Sequence, residues 1–130
     1  MRDLPNRDRI TARNMNKNRV CAMRDIRESD WKHYRNLHPI LLDRYCQRVL
    51  QEVGGICAKA GKSSHQRYLD LYKAVERRDR EMGHLFNDPK RSNALFQIMA
   101  INAQGLFTQE EFSQFSQEVR EIAERFRSGA

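Results

Sequence analysis

Between Ser29 and Gly61 the apolar residues recur at steps of three and four: Trp31, Tyr34, Leu37, Leu41, Leu42, Tyr45, Cys46, Val49, Leu50, Val53, Ile56 and Cys57. That spacing gathers them on one broad face of an α-helix. Lys32, Arg35, Asp43, Arg44, Gln47, Arg48, Gln51 and Glu52 fall mainly in the gaps, as a solvated face should. Ser29 or Asp30 offers an N-cap oxygen for the first turn. Pro39 removes a backbone donor, yet the apolar phase continues across it. One helix over about residues 30–60, kinked at Pro39, fits better than two separate ones. Gly54 and Gly55 weaken its last turns, and Gly61 is a C-terminal stop.

Three further helices follow from the same pattern. Ser63-Ser64-His65-Gln66 reads as a capping box opening a helix over 64–86, with Tyr68, Leu71, Tyr72, Val75, Met82, Leu85 and Phe86 on one face. Asn87-Asp88-Pro89 ends it and starts a third helix over 89–104, Asp88 as cap and Pro89 as first residue. Ala94, Leu95, Phe96, Ile98, Met99, Ala100 and Ile101 leave that helix almost no polar face, which predicts burial on several sides. Gly105 closes it. Thr108-Gln109-Glu110-Glu111 is a second capping box, and Phe107 before the cap can staple to Phe112. Phe112, Phe115, Val119, Ile122 and Phe126 then form a narrow heptad-like seam on a helix over 109–127. The predicted fold is all-α, a compact bundle or array of four helices joined by short links.

Composition changes this picture little. The chain has 130 residues, 39% hydrophobic and 32% charged, as expected of one soluble domain. No apolar run reaches the ~20 residues of a membrane span, and no secretory signal opens the sequence, so a cytoplasmic location is expected. Cys46 and Cys57 lie too far apart along one helix to pair, and they read as reduced core thiols. The net charge is +7, but residues 1–28 carry eight Arg and Lys against four acids, more than half of the excess. That stretch has no sustained apolar period, its aliphatics (Leu4, Ile10, Val20, Ile26) being sparse. It reads as a basic, disordered tail, or as a start placed too early, since Met15 and Met23 are internal methionines. A basic arm that orders on nucleic acid is the sharper alternative. Residues 29–130 form the helical domain.

Ser29-Asp30-Trp31-Lys32, followed by Leu42-Asp43-Arg44-Tyr45-Cys46-Gln47-Arg48-Val49-Leu50, resembles a group of short uncharacterised bacterial all-helical proteins. The resemblance covers most of residues 29–126. It implies a domain boundary near residue 28, and neither an activity nor a cofactor.

Candidate chemistry is sparse. Glu81 and His84 have the Glu-x-x-His spacing of di-iron bundles, but those need two copies and further glutamates. Neither His33, His38, His65 nor His84 pairs with a cysteine at zinc-finger spacing. Cys21, in the tail, has no evident catalytic base. Gly54-Gly55 lacks the strand and the Lys-Ser/Thr of a phosphate loop. Catalytic, cofactor-binding and metal residues are therefore expected to be none, and the chain is expected not to be an enzyme.

Two surfaces remain. Lys73, Arg77 and Arg80, with His84, step along the second helix as a stripe able to track phosphates, though Asp70, Glu76, Asp79 and Glu81 interleave with it. On the third helix Phe96, Ala100 and Ala103 project from a side that only the fourth helix is left to cover. Either the seam closes over them or an open face pairs with a second copy. The expectation is a protein that acts by binding another protein, including itself as a homodimer. The alternative is a nucleic-acid-associated protein using the tail and the Lys73/Arg77/Arg80 stripe.

Overall fold

A computed structural model describes residues 25–129. Five helices and no strand occur among them: α1 (Glu28–Cys57), α2 (Ser64–Phe86), α3 (Ala94–Ala103), α4 (Gln109–Ser113) and α5 (Gln117–Gly129). The all-α fold agrees with the periodicity. No helix among the described residues is long and apolar enough to cross a membrane.

α1 runs through Pro39 as a single element. It pairs with α2 as an antiparallel hairpin: His38 meets Phe86, Tyr45 meets Glu81, and Glu52 meets Arg77, so one helix ascends as the other descends. α3 packs chiefly on α5 and touches both arms of the hairpin. Ile98 and Ile101 on α3, Tyr34 and Leu41 on α1, and Leu85, Phe86, Leu106, Phe115 and Val119 are all buried in one cluster. As its composition predicts, α3 is the central helix, with Ala94, Leu95, Gln97, Ile98, Ile101 and Asn102 buried. Gly105 (φ +69) turns the chain out of α3 in the left-handed region, where a side chain would be strained.

Several boundaries differ from the sequence pattern. Ile26, assigned above to the tail, is 2% exposed in the core, and Arg91 donates to its carbonyl at 2.6 Å. The folded body therefore begins before residue 28. Met1 to Arg24, with Cys21 and most of the expected basic tail, lie outside the described residues. α1 begins at Glu28 with no side-chain cap, so neither Ser29 nor Asp30 caps it. It ends at Cys57, short of Gly61, which instead turns the link to α2 with φ +92. Ser63 caps α2 at 3.0 Å from the Gln66 amide, but the Gln66 side chain donates to Asp70 rather than closing a box.

The third helix does not start at Asp88. That residue sits at φ +52, a left-handed conformation that Asp tolerates better than most, and α3 begins only at Ala94. Asn93 builds the intervening turn, accepting from the Lys90 amide at 2.8 Å and donating to the Asp88 carbonyl at 3.0 Å.

The expected fourth helix is two helices, α4 and α5, broken at Gln114–Ser116. The Thr108–Glu111 capping box and the Phe107–Phe112 contact, 5.8 Å between ring centroids, form as predicted. The break comes from elsewhere in the chain. The Asp30 carboxylate accepts from the Ser116 amide and from the Ser116 hydroxyl, both at 2.7 Å. That Ser116 oxygen in turn accepts from the Val119 amide at 3.4 Å, starting α5. Across the break Phe115 and Val119 are buried and Phe112 and Ile122 pack against the core, so the predicted seam holds from Phe112 to Ile122; Ala123 joins it, and only Phe126 is left half exposed.

A candidate interaction face on the helical hairpin

Core burial stops partway along the hairpin. Tyr45 is the last buried residue of α1, and between Ser64 and His84 of α2 only Ala74 is buried. The outer half of the hairpin thus extends past α3–α5, and its two sides differ in chemistry.

The side that meets α3 is polar. The Tyr45 hydroxyl donates to Glu81 at 2.5 Å. Arg78 bridges Glu52 at 2.8 Å and Glu81 at 3.0 Å, and Gln104 donates to Glu81 at 3.2 Å. Arg48 donates to the carbonyls of Gln104 and Gly105 at 2.7 and 3.0 Å, fastening the hairpin to the end of α3. These groups line a cavity of about 340 Å³. Burial, followed by the bond to Glu81, raises the Tyr45 phenol well above its ordinary range. The Tyr45 hydroxyl, then Arg78 and Gln104, hold the Glu81 carboxyl low against the opposing effect of burial. Arg78 does the same for Glu52. The carboxylates are spent on neighbours, so the arrangement fixes the helix register rather than offering a base.

The opposite side is apolar and is lined by α1 and α2 alone. Tyr45, Cys46, Val49, Leu50, Val75, Arg78, Asp79 and Met82 enclose a groove of about 210 Å³. The Cys46 thiol lies 3.9 Å from the Met82 sulfur along its floor. Of the lining, Leu50 and Val75 are exposed by 69% and 46%, and Tyr68 and Tyr72, exposed by 61% and 58%, stand beside the groove toward the hairpin tip. Tyr68, Tyr72, Val75, Asp79 and Met82 step by three and four, which puts them on one face. This is the largest run of exposed apolar side chains among the described residues.

The sequence-predicted residues are distributed as follows. Lys73, Arg77, Arg80 and His84 all lie exposed on the outward face of α2. Arg77 is committed to Glu52 at 3.2 Å, while Lys73 and Arg80 make no ion pair among the described residues. Phe96 is 47% exposed and Ala103 is exposed, whereas Ala100 packs against the core. Cys46 is half-buried and Cys57 is exposed, so neither is the core thiol that periodicity implied. Both sit where the apolar face outruns the helices that would cover it. Glu81 and His84 do not pair: Glu81 faces the polar network and His84 faces solvent. His33 and His38 bond the carbonyls of Glu111 and Phe86 at 2.7 and 2.8 Å. No group of three metal-ligating side chains occurs among the described residues.

Sequence reasoning missed two polar features of the core. Asp30 reads locally as a cap, and only its 2% exposure shows that it serves Ser116. Gln97 accepts from the Tyr34 hydroxyl and donates to the Asn87 carbonyl at 2.8 Å, joining three helical segments from inside an apolar run. A lone Gln between Phe96 and Ile98 is the one signal that pointed to it.

No protein-family model, no curated protein and no solved structure matches the chain.

Proposed function

We propose that this is a non-enzymatic cytoplasmic protein that acts by binding another protein, and that it does so through the apolar face of the α1–α2 hairpin. The observation that carries the proposal is the exposed set Leu50, Tyr68, Tyr72 and Val75 around a groove that no residue of α3–α5 lines. An exposed apolar patch rimmed by polar residues marks an interaction site more often than chance. Tyrosines suit such a site, since they add large apolar contact at low entropic cost and carry a hydroxyl. The Phe96 and Ala103 surface on α3 is smaller, and Ala100 is not part of it.

The test is a Leu50→Lys, Tyr72→Lys double variant. Both residues are exposed, so the variant should unfold at nearly the wild-type temperature while losing the wild-type partner set in a quantitative co-purification. An unchanged partner set would reject this face.

The nucleic-acid reading rests on Lys73 and Arg80, the two members of the stripe with no ion pair among the described residues. Arg77 weighs against it, because a phosphate must compete with Glu52. Binding of this kind should weaken steeply with salt and vanish in Lys73→Glu, Arg80→Glu. Absence of affinity for duplex or single strands at low salt would dismiss it.

A further inference from the structure

Resting on the interaction face just described, we propose that its occupant is a second copy of this chain, paired antiparallel about a two-fold axis. Tyr72 of each copy sits in the groove of the other, with its hydroxyl donating to Asp79.

The face carries both a knob and a hole. The groove spans the level of Val75 to Met82 on α2, and Tyr72 stands one turn nearer the tip on the same side. A two-fold axis near Val75 moves the Tyr72 level of one copy onto the Asp79 level of the other, and does so reciprocally. Such self-complementarity is what an isologous interface requires. The hole is large enough, since about 210 Å³ exceeds the ~150 Å³ of a dry cavity that holds a benzene ring. It is mostly apolar, but Asp79 lines it and makes no ion pair among the described residues. A phenol brings both a ring for the groove and a donor for that carboxylate.

The area is adequate for a reversible dimer. At the exposures given, Leu50, Tyr68, Tyr72 and Val75 leave roughly 400 Å² of mainly apolar surface per copy. A standard interface buries ~800 Å² per partner, so this apolar centre is about half of one, the size of a weak, concentration-dependent contact. Gly54 adds an independent observation. The pairing of Glu52 with Arg77 puts Gly54 level with Val75, next to the axis. Leu50, Gly54 and Cys57 step by four and three along that side of α1. A side chain at Gly54 would meet nothing within 4 Å in its own chain and its φ is not positive, which holds equally for Gly55, so packing within the chain requires glycine at neither position. At a two-fold axis a glycine lets the partner approach closely.

The experiment is sedimentation equilibrium of the full chain, from low micromolar to several hundred micromolar. Wild type should show a monomer–dimer equilibrium. Tyr72→Phe and Asp79→Ala should each weaken it about tenfold, and the double variant by little more than either alone, because both remove the same two symmetry-related bonds. Gly54→Ala should raise the melting temperature in dilute solution and yet weaken the dimer. Arg80→Ser, on the outward face, should change neither. A chain that stays monomeric throughout overturns self-pairing, as does a dimer indifferent to Tyr72→Phe or fully additive losses. Loss of heterologous partners in Leu50→Lys, Tyr72→Lys from a strictly monomeric chain would retain the interaction face and reject the second copy as its occupant.

Discussion

Replacing Asp30 with alanine should destabilise the protein more than its local sequence suggests. On sequence alone it is an N-cap, whose loss costs about 1 kcal/mol. In the structure it is 2% exposed, and each carboxylate oxygen accepts a 2.7 Å bond from Ser116. Alanine strands the Ser116 amide, which cannot turn elsewhere, and frees a hydroxyl that can. A bond to a charged acceptor contributes ~1.5–3 kcal/mol, and removing the buried carboxylate returns part of its desolvation cost. The net loss should be about 3 kcal/mol. Asp30→Asn keeps one acceptor and should lose roughly half as much. Urea denaturation measures this as a lower midpoint at unchanged slope, with Asp43→Ala on the exposed face of α1 as a control expected within ~0.5 kcal/mol. Hydrogen exchange should show the first turn of α5 opening most, since Ser116 starts that helix. A loss below about 1 kcal/mol for Asp30→Ala, or equal losses from the Ala and Asn variants, would refute the reasoning.

Two further outcomes follow from the packing. Arg44 forms a two-pronged ion pair with Glu111 at 2.8 and 3.0 Å, and its bond, ahead of the Thr108 amide, brings the Glu111 carboxyl down to about 2. The folded state therefore binds its proton later than the unfolded chain, so this stability is present above about pH 4.5 and is lost as pH falls toward 2. Glu111→Gln should flatten the acid limb of the stability curve there, and an unchanged limb would show that the pair contributes nothing. Ile26→Ala should cost about 2–4 kcal/mol as a core truncation, read by thermal melting, whereas a cost near zero would return the residue to the tail.

The helices were legible where the signals were local and agreed with one another. The Ser63 cap, the Thr108–Glu111 box, the Phe107–Phe112 staple and the closing Gly105 each need only a few neighbouring residues, and each is present. The errors arise where a distant group decides. The phase of Phe112, Phe115 and Val119 allows one helix, and Asp30, 86 residues away in sequence, breaks it. Asp88-Pro89 fails for a nearer reason: it has the chemistry of a helix start, but the Asn93 side chain, five residues on, holds it in a turn. Isolated aliphatics look too few to bury, yet Ile26 is held by Arg91 from across the fold.

The candidate face was half legible for a related reason. Periodicity identifies the apolar side of α1 and α2 from Cys46 to Cys57 and from Tyr68 to Met82. It does not say how far the covering helices reach, and α3, at ten residues against thirty in α1, is too short to cover the outer turns. Residues that look like core, Leu50, Tyr72 and Cys57, are therefore surface.

The hairpin face is tested most directly by photo-crosslinking in cells, with a benzophenone amino acid placed once at Tyr72 and once at Arg80. Both positions are exposed on α2, Tyr72 beside the groove and Arg80 on the outward side. A discrete protein adduct from position 72, absent from position 80, is the predicted result. Adducts of equal yield from both positions, or from position 80 alone, would contradict it.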